Sequence, residues 1–127
     1  MIRGGTATIF VSNMDKAVRF YSETLGLKLR GRYGDHYAEV DAGEGFTIGL
    51  HPEDKKKGSL AGKPGSTIVG LGVTEAIETV MESLKKRGVN FTGRVQLDPK
   101  SPVKIAYLND PDGNELYLCE TSYGPKK

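Results

Sequence analysis

The stretch Val11-Ser12-Asn13-Met14-Asp15-Lys16-Ala17-Val18-Arg19-Phe20-Tyr21-Ser22-Glu23-Thr24-Leu25-Gly26 decides the fold. Met14, Val18, Tyr21 and Leu25 recur at helical spacing and draw one apolar stripe. Asn13 stands where a helix N-cap belongs, able to accept from the first free amides. Gly26 is suited to the left-handed residue that ends a helix. Just before it, Ala7, Ile9 and Val11 alternate with Thr8 and Phe10, the period of a strand, expected from Thr6 to Val11. The same arrangement returns later. A strand is expected from Thr67 to Val73 and an amphipathic stretch ends at Gly88. The spacing from Val73 to Gly88 equals that from Val11 to Gly26.

Each copy is followed by short strand-like segments. In the first half these are Leu27 to Arg30, Tyr33 to Val40, and Phe46 to His51, with a turn over Asp41 to Gly45. In the second half, Thr74 is expected to cap a helix whose stripe is Ile77, Val80, Met81 and Leu84, with Glu75 and Glu78 in its first turn. Strands follow over Val89 to Arg94, Val103 to Leu108 and Glu115 to Glu120, with a loop from Val95 to Pro102. Asp110-Pro111-Asp112-Gly113 reads as a tight turn. The tail after Glu120 is polar. The fold class is therefore α+β, with two tandem βαβββ modules forming a curved mixed sheet around a cleft. Module one is expected over 6–51 and module two over 67–121, with the Lys-, Gly- and Pro-rich stretch 52–66 as linker. All lie in one domain, because neither half is long enough for a core of its own.

Composition sets the function classes aside in turn. A net charge of +2 over 127 residues is too small to argue for nucleic acid or a membrane surface. Lys55 to Lys57, Lys85 to Arg87 and Lys126-Lys127 read as solvated runs, the second complementing a helix C-terminus. No apolar run reaches membrane-spanning length, and the N-terminus carries one Arg and no signal-like apolar segment. The single Cys119 leaves no internal disulfide and fits a cytoplasmic location. Cys119 with His51 and an Asp makes a poor nucleophilic set, because nothing local lowers the thiol pKa. Gly43 to Gly49 joins two strands, not a strand and a helix, so it lacks the mechanics of a phosphate loop. Asp110 and Asp112 fail the spacing of a calcium loop.

Keeping period two through the first and last strand of each module places Thr6, Thr8, Phe10, Thr47, Gly49, His51, Ile68, Gly70 and Tyr117 on one face. Ile9, Val11, Ile48, Leu50, Val69, Leu71, Leu116 and Leu118 then face the helices. The first set describes a small-molecule pocket with hydroxyls, one imidazole and room over the glycines. The expected ligand-binding residues are Thr8, Phe10, Thr47, His51 and Tyr117, with Phe10 and Tyr117 able to stack on a flat ligand.

The order of elements resembles the vicinal oxygen chelate superfamily over nearly the whole chain. So do Val11 to Leu27, with its Phe20-Tyr21 pair, and Asn109-Asp110-Pro111-Asp112-Gly113-Asn114-Glu115-Leu116-Tyr117. That superfamily includes glyoxalase I, extradiol dioxygenases, fosfomycin-resistance enzymes and bleomycin-binding resistance proteins. The resemblance implies a divalent metal held by His, Glu or Gln from the first and last strand of each module. Counting from the two motifs, those positions carry Thr6, Gly49, Ile68 and Tyr117, and none is a ligand of that kind. A displaced pair of His51 and Glu115 supplies too few ligands, and His36 and Glu39 point to opposite faces of a regular strand. No metal and no other cofactor is therefore expected. The first expectation is a metal-independent protein that binds a planar or aromatic small molecule, as in the bleomycin-resistance branch, for sequestration or sensing. One alternative is a metal-dependent lyase or dioxygenase with displaced ligands, and whether the chain is an enzyme stays open. Another is a degenerate structural dimer module. The resemblance also implies a homodimer.

Overall fold

The structure is a computed structural model that describes residues 1, 5–63 and 68–121. The expected start of the second module at Thr67, the N-terminal Arg3 and the polar tail with Lys126-Lys127 lie outside the described residues.

In the first module, β1 (Gly5–Val11) leads into α1 (Met14–Arg19). β2 (Lys28–Tyr33), β3 (Tyr37–Gly43) and β4 (Phe46–Pro52) follow. In the second, β5 (Val69–Gly72) precedes α2 (Ile77–Lys86), β6 (Asn90–Gln96), β7 (Val103–Asn109) and β8 (Glu115–Thr121). The chain is thus α+β, with βαβββ repeated. Each module makes its own mixed sheet, ordered β1-β4-β3-β2 and β5-β8-β7-β6. β1 runs parallel to β4, and β5 parallel to β8, while the other pairs are antiparallel. Each helix crosses from its first strand and lies on its own sheet, α1 over β3 and β4 and α2 over β7 and β8.

The alternation in the strands sets the core. Ile9, Val11, Ile48, Leu50, Val69, Leu71, Leu116 and Leu118 are all buried, on the faces that the helices cover. They join Met14, Val18 and Tyr21 from the first helical stretch and Ile77, Met81 and Leu84 from the second in one continuous cluster. Each fully buried aliphatic side chain contributes about 1.5–3 kcal/mol relative to exposure.

Asn13 caps α1 as its position requires, its side chain accepting from the Lys16 amide at 3.0 Å. Asn13→Ala is expected to cost about 1 kcal/mol, read as a shift in the denaturant midpoint at constant slope. The helix does not run unbroken to Gly26. Over Phe20–Thr24 it widens into a π-turn, with the Leu25 amide donating to the Phe20 carbonyl at 2.9 Å. The Ser22 hydroxyl donates to the Val18 carbonyl, the acceptor that its own amide would use in an α-helix. Gly26 then takes φ +80°, as expected of the terminating residue.

Three local expectations are corrected. Tyr33 closes β2, and the next strand begins only at Tyr37 because Gly34, Asp35 and His36 form the turn between them. Thr74 is not the cap of α2. The helix starts after Ala76, whose side chain makes no capping bond, and the Glu120 carboxylate of β8 accepts from the Ile77 amide at 2.7 Å. A charged acceptor reaching across from the sheet does what a hydroxyl next door was expected to do. β6 continues to Gln96, shortening the loop expected from Val95. The linker carries one short element. Asp54 caps a single 3-10 turn at Lys55–Lys57.

Candidate functional site

The helix-free face of the first sheet is built by register. Thr6 lies beside Thr47, Thr8 beside Gly49 and Phe10 beside His51, so the row read from alternation is assembled as expected. The Thr6 and Thr47 hydroxyls hydrogen-bond at 2.7 Å. Phe10 and His51 meet edge to face with ring centroids 5.5 Å apart. His51 Nδ1 lies 2.7 Å from the Pro52 carbonyl. A carbonyl only accepts, so in the neutral ring Nδ1 carries the proton and Nε2 keeps its lone pair.

The space over the glycines is not open, against the sequence expectation. A methyl at Gly49 would stand 2.5 Å from the Tyr37 hydroxyl oxygen and 3.0 Å from Tyr37 Cε1. Tyr37 thus lies across Gly49 and donates to Glu39 Oε1 at 2.9 Å. Desolvation, and then the Glu39 carboxylate, raise the Tyr37 phenol above its ordinary pKa. In the second module Tyr117 lies over Gly70, its hydroxyl oxygen 2.5 Å from where a methyl would be. Each glycine therefore seats a tyrosine ring. Tyr117 also meets Tyr107 at 5.6 Å. Arg94 covers Tyr107, its guanidinium carbon 3.9 Å from the ring centroid, and pairs with Glu115 at 3.3 Å. Alternation along single strands does not place Tyr37, Tyr107 or Arg94, which the sequence offers only as candidates for the pocket rim, and it gives no sign of Glu39.

A cavity of about 240 Å³ opens where β1 and β5, the edge strands of the two sheets, come near each other. It is lined by Thr8, Ile9, Phe10, Val69, Asn114 and Glu115, and by the linker residues Gly58, Ser59, Leu60 and Lys63. This is near the lower end of small-ligand sites, which run to roughly 300–1,000 Å³ for drug-sized molecules. Of the expected binding residues, Thr8 and Phe10 line this cavity, and His51 joins them through Phe10. Thr47 is buried beside Thr6 at the other end of the strand, and Tyr117 lies in the second sheet.

The turn over Asp110 to Asn114 holds this region together. Asp110 is buried and accepts from the Tyr21 hydroxyl at 2.9 Å, from the Asn114 amide and from Asn114 Nδ2. Asn114 Nδ2 also donates to the Phe10 carbonyl at 3.0 Å, and Asn114 Oδ1 accepts from the Gly62 amide at 2.8 Å. Asp112 accepts from the Ser12 amide at 3.0 Å and from its hydroxyl. Asp110 and Asp112, read from the sequence as turn formers, also join module two to the β1–α1 connection and to the π-turn after α1.

The residues at the four metal positions do not suit a divalent ion. Gly49 and Ile68 have no donor, the Thr6 hydroxyl is paired with Thr47, and the Tyr117 ring covers Gly70. Of the displaced pair, Glu115 pairs with Arg94 while His51 bonds the Pro52 carbonyl. Among the described residues no three His, Cys, Asp or Glu side chains group as metal ligands. No helix among them is long and apolar enough to cross a membrane.

Comparison with known proteins agrees with the fold. The sequence profile of the Glyoxalase/Bleomycin resistance protein/Dioxygenase superfamily matches residues 4–118. A probable chloroplastic lactoylglutathione lyase of Arabidopsis thaliana is 32% identical over 91% of this chain. The chain spans only 35% of that protein's length. A superfamily member from Sphaerobacter thermophilus superposes with TM-score 0.74 at 27% identity, covering 94% of this chain and 98% of the other. An antibiotic-binding protein from a Streptomyces species superposes with TM-score 0.75 at 25% identity, over 96% and 98% of the two chains.

Proposed function

Because the chain belongs to the Glyoxalase/Bleomycin resistance protein/Dioxygenase superfamily, we propose that within it this protein is a metal-independent binder of a planar or aromatic small molecule. Sequestration of that molecule, as in resistance, or sensing of it is the role. The observation that carries the reading is the cavity between β1 and β5, walled by Phe10 with His51 against its edge. The likeness to an antibiotic-binding protein supports it. The ligand-contacting residues in this reading are Thr8 and Phe10, with His51 behind the Phe10 ring, whereas Thr47 and Tyr117, expected from the sequence, stand away from the cavity. Phe10 offers a ring face, Thr8 a hydroxyl and His51 Nε2 an acceptor. The protein works as a cytoplasmic homodimer, with residues 1–127 as one domain of two modules, 6–51 and 67–121.

A second reading, a metal-dependent lyase, draws on the identity to the chloroplastic relative. It needs donors that the four family positions lack.

Elemental analysis of the purified protein, with and without added nickel, zinc, manganese and iron, separates the two. The expected result is no stoichiometric retention. One metal held per chain overturns the proposal. Thermal-shift and calorimetric titration with planar aromatic antibiotics should then find a binder. Phe10→Ala or His51→Ala should weaken it by about 1–2 kcal/mol, roughly five- to thirtyfold in Kd. Failure of every planar probe to bind favours the structural-module alternative.

A further inference from the structure

We propose that the ligand carries a negative charge, held by Lys63 with the Thr8 and Ser59 hydroxyls in the cavity between β1 and β5. This rests on the small-molecule reading above and names the class of molecule. The argument is an account of the polar groups around that cavity. Its acidic residue, Glu115, is already met by Arg94 at 3.3 Å, and Arg94 is fixed on the Tyr107 ring. The Asn114 side chain is saturated, with its NH2 shared between the Phe10 carbonyl and Asp110 and its oxygen on the Gly62 amide. Both groups are thus already engaged within the protein, Glu115 with a cation and Asn114 with backbone and Asp110.

The remaining donors differ. Among the described residues, Lys63 has no acid within 4.0 Å, and the Thr8 and Ser59 side chains have no hydrogen-bond partner. An ammonium and two hydroxyls with nothing to donate to, set around Phe10, suit a flat ring that bears a carboxylate or similar anion. The nearby Glu53 carboxylate accepts from the Ala61 amide and does not line the cavity, so it leaves the Lys63 charge in place.

The test compares 2-naphthoate with 2-naphthamide, which share a ring and differ in charge, by calorimetric titration at low salt. Wild type should bind the naphthoate roughly three- to fivefold more tightly, the size of a partly exposed ion pair. Lys63→Gln should abolish the difference. Lys86→Gln, which removes an equal charge on α2, should preserve it. Added salt should narrow the gap in wild type. Equal affinities in wild type, or a preference that survives Lys63→Gln, overturn the anionic class while leaving planar-ligand binding intact. Binding of neither probe overturns both. Lys63 is exposed, so its variant keeps the fold, and a matching thermal melt verifies this.

Discussion

Asp110→Ala is expected to destabilise the chain by about 3–4 kcal/mol, the largest loss of any single polar substitution here. The carboxylate accepts from the Tyr21 hydroxyl, the Asn114 amide, the Asn114 side chain and the Asp112 amide. Its removal leaves a buried phenol without an acceptor and frees the turn that binds the Phe10 carbonyl. Tyr21→Phe removes one bond and keeps the ring, so it should cost only about 1 kcal/mol. In the double variant the two losses should fall short of additive, because they share a bond. Denaturant unfolding measures all three. A loss near that of an ordinary surface change for Asp110→Ala would mean that the turn does not join the modules.

The same pair predicts the pH response. Burial, and then the Asp110 charge, hold the Tyr21 phenol well above its ordinary pKa of about 10. A group raised on folding stabilises fully below its unfolded value, and that contribution is lost as pH rises through the folded one. Stability should therefore fall as pH climbs beyond about 10, and Tyr21→Phe should flatten the fall. Asp110 is also raised, by burial, against the lowering effect of its hydrogen bonds from Asn114, Tyr21 and Asp112. Its contribution is present below the ordinary carboxylate value of about 3.9 and declines above it, so Asp110→Asn should remove a decline just above that range. Thermal melts across pH read both.

Gly62→Ala should cost roughly 2–3 kcal/mol, adding a left-handed backbone penalty to a lost hydrogen bond. Gly62 has φ +73°, and a methyl there would run into the Asp112 carbonyl oxygen. That acceptor is backbone, so it cannot swing aside as a tyrosine hydroxyl over Gly49 can. The linker would lift from the turn and give up the Gly62 amide bond to Asn114 Oδ1. Because Ser59, Leu60 and Lys63 line the cavity from this linker, planar-ligand binding should weaken along with stability. Unfolding curves and titration with 2-naphthoate check the two effects together. A variant as stable as wild type would show that the linker does not pack on the turn.

Much of the fold is legible in the chain because its signals are local. The alternation of Ala7, Ile9 and Val11, the stripe from Met14 to Leu25, the Asn13 cap and the glycines at 26 and 88 depend on neighbours a few residues away. They determine two βαβββ modules and which face of each strand is buried, and the register of β1 on β4 follows the row that alternation draws. The tertiary structure alone decides what fills the helix-free face. Tyr37 covers Gly49 from a neighbouring strand, Arg94 reaches Tyr107 and Glu115 across two, and Glu120 replaces Thr74 at the start of α2. Asp110 finds Tyr21 across 89 positions. Strand periodicity says which way a side chain leaves the backbone. Only the packing of one strand beside another says which side chain arrives there.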